Sequence, residues 1–492
     1  MRDLAVRRHL GVLVPLVLLL GLSVLLRTRA LDASLWIDEG ISVGIASHPA
    51  TEIPGLLRQD GSPPLYYLLL HAWMEVAGTD EAALRTPSLV FALATVPAAL
   101  WAGRSLFGAR AGWLCAVLAG LMPFLTAYAQ EVRMYALVAL LSVVATAAFL
   151  HAFAFRRRGY LPALAVALAL LLYTHYWAFF FALGLLAALA ALALDAAEGE
   201  RKGLLADGAL AFGLPLVAFL PWLPTFAFQL KNTGAPWSNP PPASALLGAL
   251  ALGAGAVALP LLAHGSEERR ALRSLALAAG LALAAAWAAA QLEPGWATRY
   301  LAVLVGPLLL LAGLTFARLG PLGVVACAAV SAVWLVGGSP GEKTNVAGTT
   351  ASLARQLEPG DLVLSTQPEQ VPVLAHYLPD GLHYATPLGP VDDPHVMDWR
   401  DALPRLVRTR PASSLLPTLD ALPAGSAVLL VRPDVGDGER WQAPWTSLVV
   451  RRTDEWADAL EADGRFLAVE GTAGGGETTR TSIRLTLYRK AG

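Results

Sequence analysis

Charge is scarce in this chain: 15% of its residues are Asp, Glu, Lys or Arg, against 56% hydrophobic, and the mean hydropathy is +0.54. That balance excludes an ordinary water-soluble globule, because so much apolar surface has to meet lipid. An excess of one sign is also missing, since 36 basic residues offset 37 acidic ones and leave a formal net charge of −1. Bulk attraction to nucleic acid or to a strongly charged partner is thereby excluded. Cysteine is almost absent. Cys115 and Cys327 each lie in an apolar run without polar ligand neighbours, which suits packed or lipid-facing thiols rather than a disulfide or a zinc site. There is no convincing internal repeat, glycine-rich phosphate loop or metal-ligand spacing.

Long apolar runs dominate what is present. The first, Leu10 to Leu26, follows Arg2, Arg7 and Arg8 and reads as an uncleaved anchor, because Arg27, Thr28 and Arg29 stand where a cleavage site would need small residues. Further runs near residues 86–105, 111–127, 134–155, 160–174, 177–194, 204–224, 243–263, 272–291, 300–317 and 321–338 bring the expectation to about eleven spans. Residues 160–194 are too long for one helix and break at Thr174-His175-Tyr176, so two spans with a tight turn are expected. The fold class is a polytopic α-helical membrane protein.

Arginine and lysine then order the connections. Arg104 and Arg110, the triplet Arg156-Arg157-Arg158, Arg201-Lys202, Arg269-Arg270 with Arg273, and Arg318 fall in alternate loops, which the positive-inside rule places in the cytoplasm. The N-terminus is then cytoplasmic and the C-terminus outside, in a multi-pass protein of a bacterial plasma membrane. This topology gathers Asp38, Glu39, Asp60, Gln130, Glu131, Arg133, His175, Gln229, Glu293, Arg299 and Tyr300 on the outer side. Ionisable groups near membrane depth are costly, so such a gathering is a candidate site. Two domains are expected: a membrane module, 1–338, whose external loop 28–85 carries interfacial helices (Trp36 to His48 and Leu65 to Val76), and an extracytoplasmic α/β domain, 339–492. In the tail, the strand-like runs are Asp361 to Ser365, Ala427 to Val431 and Thr481 to Tyr488. Its role is left among acceptor recognition, lid and spacer.

Four segments carry a family resemblance: Leu35-Trp36-Ile37-Asp38-Glu39-Gly40 with Asp60-Gly61-Ser62-Pro63-Pro64-Leu65-Tyr66-Tyr67; Glu81 to Ser88; Ala129-Gln130-Glu131-Val132-Arg133-Met134-Tyr135; and Arg299-Tyr300-Leu301 ahead of Pro307. In order and separation they resemble the glycosyltransferase C (GT-C) superfamily, in the bacterial branch near the protein O-mannosyltransferases and the lipid A aminoarabinose transferases. Ser62 stands where many relatives carry a histidine. The resemblance implies transfer of a mannose-like hexose or a pentose from a polyprenyl-phosphate donor to a lipid, polysaccharide or protein acceptor at the outer face, among membrane lipids and without nucleic acid.

Such a transfer needs a base for the acceptor hydroxyl and cations for the phosphate that leaves. The resemblance points to Asp38, Glu39 and Glu131 as catalytic groups and to Arg133 and Arg299 at the donor phosphate. Tyr66, Tyr135, His175 and Tyr300 become substrate contacts. Each has a plainer reading. Asp38 and Glu39 suit a helix cap and its dipole; Glu131 and Arg133 suit an ion pair; Arg299, Tyr300 and His175 suit an interfacial belt. No cofactor is required, although acidic groups with a histidine would also suit a divalent cation, Mg or Mn. The rival functions are a transporter or flippase of lipid-linked sugars and an assembly scaffold.

Overall fold

The computed structural model of the protein describes residues 2–337, 341–434, 443–472 and 481–491. The expected domain boundary at 338/339 lies outside them. Among the described residues eleven apolar helices coincide one for one with the expected runs, and six of these are long and apolar enough to cross a membrane by length and composition, among them Glu81–Phe107, Tyr135–Ala154 and Ser266–Leu292. The break at Thr174-His175-Tyr176 separates the helices Leu161–Leu172 and Ala178–Leu194, as the sequence requires.

The chain divides into two compact units: Met1–Leu31, Arg85–Pro224 and Pro240–Pro340 form the first, and Asp32–Leu84, Thr225–Asn239 and Gly341–Gly492 form the second. The first is a helical bundle whose contacts rest on small residues. A Cβ on Gly306 would strike the Ser142 backbone, one on Gly184 would strike Ala278, and one on Gly103 would lie 2.8 Å from Gly112 Cα. In lipid, where apolar burial gives no preference for helix over tail, close backbone approach supplies the packing. Polar backbone groups still need partners there. Ser142 Oγ donates to Val303 O and accepts from Gly306 N, both at 2.8 Å, just where the tight turn Thr298–Leu304 passes into the helix Val305–Arg318. Both cysteines are buried free thiols.

The alternate basic loops meet at one end of this bundle. Arg158 pairs with Asp207 at 2.5 Å and Arg156 with Glu200 at 3.7 Å, while Arg273 pairs with Asp195 and Arg318 with Glu268. Their grouping is the one the charge pattern demanded.

In the second unit a six-stranded sheet forms from β1 (Leu362–Ser365), β2 (His383–Thr386), β3 (Gly389–Val391), β4 (Ala427–Pro433), β5 (Phe466–Gly471) and β6 (Ile483–Lys490), in the order β3-β2-β1-β4-β6-β5. β1 runs parallel to both neighbours, with Leu362 opposite His383 and Val428, and the outer pairs are antiparallel. Buried on both faces, β1 and the first five residues of β4 read as continuous apolar runs, as parallel strands covered by helices do. Leu364, Val428, Leu430, Trp456 and Leu460 form the core of this α/β domain.

The external loop folds into the same unit as the tail. Trp399 N donates to Gln59 O and Asp401 N to Asn232 O, each at 2.9 Å. The expected helices are present at Ile37–Ala46 and Leu65–Ala77, but nine of the ten residues in Ile37–Ala46 are buried. An exposed apolar face for the bilayer is therefore missing from that helix. The reason is Gly40 and Gly44, one turn apart: a Cβ on Gly40 would lie 2.6 to 2.7 Å from Val373 atoms, and one on Gly44 would meet the His395 carbonyl. Their bare faces let the helix press onto the tail.

Candidate functional site

Within the second unit, the acidic segment sits at the first turn of the helix Ile37–Ala46. Its entry is pinned: Leu35 N donates to the Tyr377 hydroxyl at 2.8 Å, and that hydroxyl donates to Glu81 Oε1 at 2.9 Å. Capping falls to Glu39, which is fully buried and accepts from Trp36 N at 3.3 Å. Asp38 is left half-buried, its backbone carbonyl accepting from Ser42 Oγ at 2.9 Å. The plain reading of a cap thus attaches to Glu39 rather than to Asp38.

The turn that follows is set by backbone chemistry. Gly61, at φ 98, ends the helix Ile53–Asp60 in the left-handed region, where a side chain would be strained. Gln229 Nε2 then donates to Leu57 O at 2.7 Å and Ser62 O at 3.2 Å, so this buried glutamine holds the turn. Pro63 and Pro64 start the next helix, which buries Tyr66 and Tyr67, and the Tyr67 hydroxyl donates to Asp60 at 3.3 Å.

The first unit gathers the other named residues. Gln130 and Glu131 are buried, and Gln130 is structural, because its Oε1 accepts from Ala30 N at 2.7 Å while its Nε2 donates to Thr126 O at 2.9 Å. Arg133 follows, its carbonyl held by Ser88 Oγ at 3.1 Å. The Arg133 guanidinium lies 5.7 Å from the centre of the Tyr135 ring, and the Arg299 guanidinium lies 5.6 Å from that of Tyr300. The tyrosine rings stand 6.2 Å apart, and His175 forms the third corner of a triangle with them, 5.9 Å from Tyr135 and 4.7 Å from Tyr300. Two cations and three rings therefore share one end of two helices that are packed through Gly306 and Ser142.

His175 Nδ1 accepts from Trp177 N at 3.1 Å, which puts the ring proton on Nε2. Burial and the nearby Arg133 and Arg299 hold its pKa well below the usual histidine range. It is a neutral donor among the arginines rather than a third cation. Glu293, grouped with these residues by the charge pattern, is exposed. Among the described residues no group of three or more His, Cys, Asp or Glu side chains is placed to hold a metal.

Sequence reasoning passed over one polar turn in the tail. Thr366–Gln370 leaves the carboxyl end of β1, and its Gln367, Glu369 and Gln370 are at most 4% exposed. Burial pushes the Glu369 carboxyl up, against the pull of hydrogen bonds from Gln367 and Trp445, and Asp38 adds to the rise. Three long polar side chains in a row after a buried apolar strand were the available signal.

A family model described as dolichyl-phosphate-mannose-protein mannosyltransferase matches residues 61–224. No curated protein sequence matches the chain. Among solved structures, ArnT from Cupriavidus metallidurans in the apo state is similar at 14% identity and TM-score 0.63, covering 97% of this chain and 98% of its own. The same protein bound to undecaprenyl phosphate is similar at 15% identity and TM-score 0.61, with the same coverage. An oligosaccharyltransferase from Archaeoglobus fulgidus, in complex with Zn and sulfate, is similar at 13% identity and TM-score 0.53, over 95% of this chain and 73% of that one. At these identities the likeness is one of fold. The chain shares its fold with these structures, and its own part in that fold is a helical bundle with a C-terminal sheet domain.

Proposed function

We propose that this chain, built on the GT-C fold, is a membrane glycosyltransferase that moves a glycosyl group from a polyprenyl-phosphate carrier to an acceptor hydroxyl on the extracytoplasmic face. The observation that carries the reading is the pair of guanidiniums, Arg133 and Arg299, set over Tyr135 and Tyr300 around a neutral His175. A planar fork makes two charge-assisted bonds to phosphate oxygens, and aromatic faces below it restrict its orientation. The family match and the likeness to a protein that binds undecaprenyl phosphate favour a polyprenyl phosphate as what those forks meet.

In the proposed reaction Asp38 accepts the proton of the acceptor hydroxyl while its oxygen attacks the anomeric carbon. The bond from that carbon to the phosphate oxygen breaks, and its electron pair leaves with the polyprenyl phosphate, which gains one negative charge. Arg133 and Arg299 neutralise that gain, and such placed charges contribute about 10²–10³ in rate each. A positioned base adds roughly 10²–10⁴. Glu131, Tyr66, His175 and the tyrosines Tyr135 and Tyr300 serve as substrate contacts in this scheme. A divalent cation would find its first ligand in Asp38, and a chelator added to the assay tests for it.

The deciding experiment is transfer of radiolabelled sugar from a panel of polyprenyl-phosphate donors by the purified full chain in liposomes, comparing wild type with Asp38→Asn. Label on acceptor or water with wild type alone supports the transferase. Donor that crosses the bilayer uncleaved, equally in both proteins, would replace it with a flippase.

A further inference from the structure

The polar turn in the tail has no part in the scheme above. It lies at the carboxyl end of β1, where the order β2-β1-β4 turns the chain to one side for β2 and to the other for β4. Open α/β sheets bind ligands in the crevice at such a switch point. The turn is rigid. Thr366 N donates to Val431 O at 3.0 Å, Ser365 Oγ to Gln367 O at 2.8 Å, and Thr453 Oγ1 to Thr366 Oγ1 at 2.9 Å.

Its three long side chains present acceptors. Gln367 Nε2 donates to Glu369 Oε1 at 3.0 Å, and Trp445 Nε1 donates to the same oxygen at 2.9 Å. Gln370 Nε2 donates to Thr481 O at 3.1 Å. These donors fix both amides, so the remaining atoms are Gln367 Oε1, Gln370 Oε1 and Glu369 Oε2. None of the three accepts a hydrogen bond from a described residue, and all are buried. A buried acceptor left without a donor costs about 1–3 kcal/mol, more when it carries charge, so three on one turn mark a place built for a ligand rich in donors. The helix that bears Asp38 packs directly on this turn. Gly40, the second residue after Asp38, makes that approach by meeting Val373 just beyond Gln370.

We propose that the Gln367-Pro368-Glu369-Gln370 turn is a sugar subsite, in which Glu369 Oε2 and the two glutamine oxygens accept hydrogen bonds from the hydroxyls of a glycosyl group. The subsite rests on the transferase reading for its ligand and uses none of that reading's catalytic groups. Carboxylate and carboxamide oxygens are the acceptors that a polyol with neighbouring O–H groups requires, and a rigid turn fixes which hydroxyls can be matched.

The test uses the full chain in detergent, with free mannose, glucose, galactose and arabinose as probes. Saturation-transfer NMR of wild type should show binding of at least one sugar. Glu369→Gln should weaken that signal about tenfold or more without lowering the melting temperature, and in liposomes it should raise KM for the donor with kcat retained. Hydrogen exchange of wild-type peptides across 362–377, which needs no variant, should slow when the sugar is added. Unchanged exchange and a signal indifferent to Glu369→Gln would overturn the subsite, and would show acceptors that structural water satisfies. The two readings fail separately. Transfer by wild type with sugar binding indifferent to Glu369 sinks the subsite alone, whereas Glu369-dependent binding by a protein that transfers nothing sinks the transferase and keeps the subsite.

Discussion

At the scale of single residues, neighbouring carboxylates have divided their work. Glu39 is buried and accepts the Trp36 N–H, while Asp38 stays half-buried beside it. Glu39→Ala should therefore lower stability by about 1 kcal/mol through the lost cap, whereas Glu39→Gln, which still offers an acceptor, should keep both the melting temperature and transfer. Asp38→Asn should do the reverse, holding the melting temperature while kcat falls roughly 10²–10⁴-fold. Thermal melting and steady-state kinetics on the three variants separate the roles. Arg299→Lys should cost about 10²-fold in kcat despite its retained charge, because an ammonium cannot make the planar contact to phosphate and ring together.

Glu369 adds a prediction in pH. Its carboxyl is raised by burial and by Asp38, so folding favours the protonated form. Stability from this group is present below the unfolded carboxylate range and is lost as pH rises through the raised value. Glu369→Gln removes that loss. The melting temperature of the variant relative to wild type should be higher at pH 8 than at pH 4.5, and a difference that is flat across that interval would contradict the burial of charge at this position.

At the scale of elements, the glycines of the acidic helix carry the fold of the second unit. A Cβ on Gly40 would come within 2.7 Å of Val373 N and Cα as well as its side chain, so Gly40→Ala should destabilise by about 1–3 kcal/mol. Val373→Ala should fail to rescue it, because two of the three nearest atoms belong to the backbone. Proteolysis of the second unit in detergent reads both effects. This contact also marks where the sequence stops being legible. The apolar helices could be read because each is a run of residues with one solvent preference, and β1, β4 and β6 because they are continuous or alternating apolar runs. β2 and β3, of four and three residues, are too short to outweigh the turns around them. The helix Ile37–Ala46 was legible as a helix, but its burial was not, since that depends on Val373 and His395, far away in the chain. The motif residues Asp38, Arg133 and Arg299 could be named from local pattern. Glu369 could not, because its surroundings are made by β1, β4 and Trp445 together.

At the scale of the whole molecule, the positive-inside rule assigns a side to each end of the bundle. The basic loops that it places in the cytoplasm are bound to one another by Arg158–Asp207, Arg156–Glu200, Arg273–Asp195 and Arg318–Glu268, so they occupy one compartment together. We propose that the odd number of crossings expected from the apolar runs puts the tail in the other. Both native thiols are buried, which leaves wild type blind to a water-soluble maleimide and makes single added cysteines clean reporters. Gly199 stands at the start of a helix with nothing near it, and Glu358 is exposed in the tail. Glu358→Cys should label with an impermeant maleimide on intact cells, while Gly199→Cys should label only after the membrane is opened. The opposite pattern would place Asp38 and the sheet domain on the cytoplasmic side, and transfer to an extracytoplasmic acceptor would then be excluded.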